Sequence, residues 1–145
     1  MTSTGSEGPR IVVGVDGSVS SRQALAWAAQ EARVRGAGLQ VVYCTFYRPE
    51  LLQSYEGIAG DEQGILDRAV ARARALEPTV DVVGYRADPP PAKSLVEASA
   101  GADLLVVGVR GLGGFQELLL GSVSQQCARH ARCPVAIVRG TGVDA

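Results

Sequence analysis

Short apolar runs, each bounded by glycine, proline or a polar turn, alternate along this chain with stretches of helical period, and few folds accommodate that alternation. Ile11 to Asp16, Leu39 to Phe46, Val80 to Tyr85, Asp103 to Val109 and Val135 to Arg139 are strand-sized and rich in apolar residues. The first of them, a short apolar run ended by Gly17-Ser18, reads as a strand buried on both faces of a parallel sheet covered by helices. The helices are legible between the runs. Leu25, Ala28, Ala29 and Ala32 share one face of Val19 to Arg35, which Gly36 stops. Leu66, Ala69, Val70 and Ala73 mark Gly64 to Leu76, with Arg68, Arg72 and Arg74 expected to be solvated. Pro89, Pro90 and Pro91 introduce a helix over Ala92 to Ala100 that Gly101 ends, and Val123, Cys127 and Ala131 mark Ser122 to Ala131. Strands and helices in this order predict one doubly wound α/β domain over residues 10–140, between tails at 1–9 and 141–145.

With 145 residues the chain is long enough for one well-cored domain. The net charge of −1 and the absence of a basic face exclude nucleic acid as an expected partner. Lys93 is the only lysine, so lysine-dependent phosphate chemistry has a single candidate. Cys44, Cys127 and Cys133 form no C-x-x-C pair and are odd in number, which argues against a disulfide framework or zinc ribbon and fits a reducing cytoplasm. The polar start MTSTGSEGPR lacks a signal-peptide core and no apolar run reaches membrane-spanning length, so a soluble protein is expected. Residues 47–63 have weak periodicity and read as a long loop that would serve as a lid.

The chemistry concentrates in Val106 to Ser122, VVGVRGLGGFQELLLGS. A strand runs into Gly108, Gly111 follows, and after nine more residues Gly121-Ser122 opens a helix. Glycines permit tight turns and close ligand approach, and a helix start aims unpaired N–H groups at one point, so the stretch reads as a phosphate cradle. Neither a Walker A loop nor a G-x-G-x-x-G fingerprint after the first strand is present. Phosphate contacts would therefore fall to backbone amides and the Ser122 hydroxyl, and Arg110 fits either a charged partner or solvent. The first strand ends in Asp16-Gly17-Ser18, where Asp16 fits a helix cap, a ribose acceptor or a ligand of a divalent ion. Placing these two unusual strand ends side by side requires the sheet order 3-2-1-4-5 rather than 2-1-3-4-5. His130 sits at a helix end away from both strand-end loops and is not expected to be catalytic, and none of the cysteines reads as a nucleophile.

GVDGS after the first strand, VVGVRG with nine residues to GS, and the closing CPVAIVR together resemble the universal stress protein family, in its ATP-binding branch with the motif G-x2-G-x9-G-[ST], over Ile11 to Arg139. The resemblance implies a Rossmann-like five-stranded parallel sheet in that 3-2-1-4-5 order, with helices on both faces and ATP, with Mg, between the first and fourth strands. Carried over by position, Gly14 and Asp16 line the ribose and phosphate side, with Asp16 facing the metal, and backbone from Val42 to Cys44 meets adenine. Gly108, Val109, Arg110, Gly111, Leu112, Gly113 and Gly114 form the phosphate loop, closed by Gly121 and Ser122. Val109 stands where many members carry Ser. The resemblance also implies a homodimer through Val135 to Arg139, an apolar sheet edge. A nucleotide-dependent stress-response or signalling module with a protein partner is the expected function; a slow ATPase or phosphotransferase and a dimeric module without nucleotide are the alternatives.

Overall fold

The computed structural model describes residues 8–44, 62–109 and 122–140. Its strands are β1 (Arg10–Val15), β2 (Gly38–Cys44), β3 (Val82–Ala87), β4 (Leu104–Gly108) and β5 (Val135–Val138). Its helices are α1 (Val19–Arg35), α2 (Glu62–Leu76), α3 (Pro91–Ser99) and α4 (Ser122–His130). The strands pair in parallel in the order β3-β2-β1-β4-β5, the order demanded by the two unusual strand ends.

Two-sided burial explains the apolar runs of β1 and β4. Ile11, Val13 and Val15 of β1 enter one core with Leu25 of α1 and Leu66 of α2. Val12 points the other way, into a second core with Leu95 of α3 and Cys127 of α4. Helix α1 lies on the sheet through Ala24, Ala28, Ala29 and Ala32, whose small side chains allow a close approach. It starts at Ser18, whose hydroxyl accepts the Ser21 N–H at 3.1 Å, and stops at Gly36 in the left-handed conformation, φ 66°.

At the amino end of the sheet Arg10 of β1 bonds to β2 and to Asp103, the residue just before β4. Its N–H donates to Asp103 Oδ2 at 2.8 Å, its carbonyl accepts the Asp103 N–H at 2.8 Å, and its Nη1 donates to Gln40 Oε1 at 2.7 Å. At the carboxyl end the controlling contact is at Gly108. A Cβ there would lie 2.7 Å from the Ser20 carbonyl oxygen and 2.8 Å from its carbon, which are backbone atoms of the first turn of α1. The glycine thus lets α1 begin directly over the end of β4. At Gly14 a Cβ would come within 2.8 Å of Leu95 Cδ1, the end of a side chain that can move.

Two elements depart from the sequence reading by two residues. Helix α2 begins at Glu62 rather than Gly64, with an acidic residue in its first turn and Gln63 Nε2 bonded to Asp67 Oδ1 at 3.0 Å; the last two residues of the expected 47–63 lid are therefore helical. The rest of that loop, with Thr45 and Phe46 of the expected second strand, lies outside the described residues. Strand β3 runs two residues later than expected, because Val80 closes the turn after α2, its N–H donating to Glu77 O at 3.1 Å, while β2 and β3 pair from Leu39↔Val82 to Cys44↔Ala87. Val80 is buried and apolar, as a strand residue would be, yet it packs from a turn. The expectation that Arg74 is merely solvated is also corrected, since its Nη2 donates to the Val82 carbonyl at 2.7 Å and ties α2 to β3.

Two stability effects follow. Gly108→Ala is expected to lower stability by about 1–3 kcal/mol, because the added methyl meets rigid backbone; an unchanged urea midpoint would contradict the packing role. Ser18→Ala is expected to cost about 1 kcal/mol through loss of the α1 cap, measured in the same unfolding experiment.

Candidate functional site

Strands β1 and β4 pair from Ile11↔Leu104 to Val13↔Val106, so their carboxyl ends emerge as neighbours. Since β1 leads through α1 to β2 on one side and β4 lies on the other, the crevice between these ends is the point where strand order reverses, the usual ligand position in a doubly wound sheet.

On the β1 side the exit is a hydrogen-bonded turn. The half-buried Asp16 accepts the Ser18 N–H on Oδ1 at 2.9 Å, and its own N–H donates to Ser21 Oγ at 3.2 Å. Ser21 Oγ in turn donates to Ser18 O at 3.1 Å, and Arg22 Nη1 donates to Gly17 O at 2.9 Å. Gly17 has φ 87°, which favours glycine. This corrects one reading of Asp16: Ser18 is the helix cap, and Asp16 shapes the turn that presents it. Helix α2 backs the turn, with Ile65 side-chain carbons 3.5 Å from where a Gly17 Cβ would stand.

On the β4 side Gly108 is half-buried and leads to Val109, whose N–H donates to Val138 O at 3.1 Å and whose carbonyl accepts Ser124 Oγ at 3.2 Å. Ser122 is exposed and opens α4. Neither α1 nor α4 has an acidic residue in its first turn; at α1 the Asp16 carboxylate lies against the cap N–H, while at α4 no described carboxylate does. Beside β1 on the other side, Gly14 pairs with Val42, and the β2 backbone continues to Cys44.

Gly14, Asp16, Gly108, Val109, Ser122 and the Cys44 backbone are thus brought to one edge of the sheet. Arg110, Gly111, Leu112, Gly113, Gly114 and Gly121 lie outside the described residues. Sequence reasoning missed Ser20, Ser21 and Ser124. Their signal is faint because serines in a first helical turn ordinarily pass for surface residues, whereas Ser21 and Ser124 are buried here.

Among the described residues, neither Cys127 nor Cys133 has the low pKa of an activated thiol. Burial pushes the Cys127 thiol up to about 11, and Cys133 is also raised, first by burial and then by Asp103, with Arg10 opposing. Both thiols stay protonated at neutral pH. His130 is exposed at the carboxyl end of α4. Among the described residues no group of three His, Cys, Asp or Glu side chains is placed to hold a metal ion, and no helix is long and apolar enough to cross a membrane.

Known proteins resemble the chain along most of its length. A universal stress protein of Thermus aquaticus is 38% identical over 139 residues, covering 89% of this chain and 97% of the relative. A universal stress protein of Mycobacterium tuberculosis is 36% identical over 152 residues, covering 94% of this chain and 49% of the relative, so the chain spans about half the length of such mycobacterial proteins. A universal stress protein solved in complex with cAMP is 35% identical, with TM-score 0.69 over 90% of this chain and 96% of that one. The protein UspA of Lactobacillus plantarum, 20% identical, shares the fold with TM-score 0.74 over 90% of this chain and 97% of its own. Residues 9–139 match the model of the universal stress protein family, and the chain belongs to that family.

Proposed function

We propose that this chain binds ATP, with Mg, in the crevice between β1 and β4, and that occupancy is read by a protein partner in a stress-response or signalling role. The observation that carries the reading is the meeting of the Asp16-Gly17-Ser18 turn with Gly108-Val109 and the start of α4 at Ser122. Two helix amino ends without acidic first turns favour an anion there, and the G-x2-G-x9-G-S spacing from Gly108 to Ser122 fits a phosphate cradle. In this reading Gly14 and Asp16 face the ribose and phosphates, the β2 backbone up to Cys44 meets adenine, and Arg110 to Gly114 with Gly121 and Ser122 hold the phosphates. Asp16 is a carboxylate suited to a Mg ion held mainly by the phosphates and water. A second reading, a mononucleotide in the same crevice, is favoured by the cAMP complex of the relative at 35% identity. Turnover of ATP would require a general base, and among the described residues Asp16 is the carboxylate at the ends of β1 and β4, already engaged through Oδ1.

The test is calorimetric titration of the purified chain with ATP, AMP and cAMP, together with chromatography of any nucleotide released by heating. Preference for ATP by at least about tenfold supports the main reading, preference for AMP or cAMP supports the second, and binding of none overturns both. Gly121→Arg is expected to abolish binding while leaving the unfolding transition in place, and unchanged affinity would remove the phosphate-loop assignment.

We further propose a homodimer through β5. Pro134 and Val138 carbonyls accept from β4, so by alternation Val135 and Ile137 turn their backbone groups to the free edge. Ile137→Pro removes an outward N–H without touching the β4 ladder. Sedimentation should give a two-chain mass for the parent and a one-chain mass for the variant; a monomeric parent, or a dimeric variant, would refute the edge-strand interface.

A further inference from the structure

Ser124, the third residue of α4, is only 2% exposed. A serine near the start of a helix usually faces solvent or bonds within its own turn. Here Oγ reaches the carbonyl of Val109, 15 residues earlier, at 3.2 Å. Three residues on, Cys127 is fully buried in the α3/α4-side core, so this face of α4 is otherwise apolar. A hydroxyl in such a place costs free energy unless it is bonded, which ties its presence to the partner it meets.

One such partner is the exit of β4. Val109 is held from both sides, its N–H by the Val138 carbonyl at 3.1 Å and its carbonyl by Ser124. The two ends of the stretch between Val109 and Ser122 are thereby fixed relative to each other. The hydroxyl bond is longer than the common range for O–H···O, so its worth lies in geometry and in satisfying buried oxygens rather than in intrinsic strength.

We infer that Ser124 is a positioning residue for the nucleotide site: its bond to the Val109 carbonyl sets the separation between the end of β4 and the first turn of α4, and so aims the α4 amides at the crevice. The inference rests on the nucleotide reading above and adds to it a residue outside the glycine motif, acting without touching the ligand. Preorganised donors bind an anion more tightly than donors that must be ordered on binding, because the ordering cost is met by the fold.

The test uses the full chain as parent, Ser124→Ala and Ser124→Thr. Three readouts are taken: ATP affinity by titration, amide hydrogen exchange at Val109 without nucleotide, and the urea midpoint. Ser124→Ala should weaken ATP binding about tenfold and speed Val109 exchange about tenfold relative to β1 amides, with Ser124→Thr returning both to within about twofold of the parent. Unchanged ATP affinity in Ser124→Ala, unchanged Val109 exchange, or failure of Ser124→Thr to restore either overturns the inference, as does an affinity loss matched by a fall in global stability. If Ser124→Ala loses its cooperative transition, Ser124→Cys, which keeps the volume and donates weakly, replaces it in the same measurements. A parent that binds no ATP overturns the nucleotide reading and with it the positioning role, while Val109 exchange still reports whether the tie between β4 and α4 exists.

Discussion

The architecture of the carboxyl edge depends on one close approach, the backbone of Ser20 over Gly108. With no side chain at the end of β4, the first turn of α1 can sit above the β1–β4 boundary instead of being held away from it. The Ser18 cap, the Asp16 turn and the Val109 exit then fall within one small region. A glycine that looks like a ligand-binding residue in sequence is therefore first a packing residue, and the crevice is shaped by what that packing permits. The two roles reinforce one another, since a helix that starts closer to the switch point delivers its dipole closer to any anion lodged there.

The sheet order was legible because the two chemically unusual strand ends are useful only as neighbours, and the 3-2-1-4-5 arrangement makes them so. The strands themselves were legible because β1 and β4 are buried on both faces and so carry apolar residues without alternation. At β3 this signal weakens. It is an edge strand whose Val83 and Tyr85 are half exposed, and the buried Val80 before it belongs to a turn, so apolar character alone set the strand two residues early. The start of α2 was hidden for another reason: Glu62 and Gln63 carry no apolar periodicity, and their helical state follows from end charge and a Gln63–Asp67 side-chain bond.

At the candidate site, the glycines, Asp16 and the helix-opening Ser122 were readable in the sequence, whereas Ser21 and Ser124 were not. Spacing and position single out Gly108 and Asp16 as candidates, yet the geometry of Asp16 depends on Ser18 and Ser21, and that of Val109 on Ser124. Small hydroxyl residues bond to carbonyls and amides that are close only after folding, so no local pattern predicts which of them will be buried. Arg74 failed for the same reason, because its acceptor, the Val82 carbonyl, lies on the following strand.

The helices of the two layers differ in length, α1 and α2 having 17 and 15 residues while α3 and α4 have nine each. Cys127 is enclosed in the shorter-helix layer, protonated at neutral pH and fully shielded. Its sulfur can meet an alkylating reagent only when the layer formed by α3 and α4 opens. Cys127 is consequently a natural clock for that motion: its modification rate, measured against time, counts the openings of one face of the molecule, and a ligand that clamps α4 would slow the count without any change in the thiol itself.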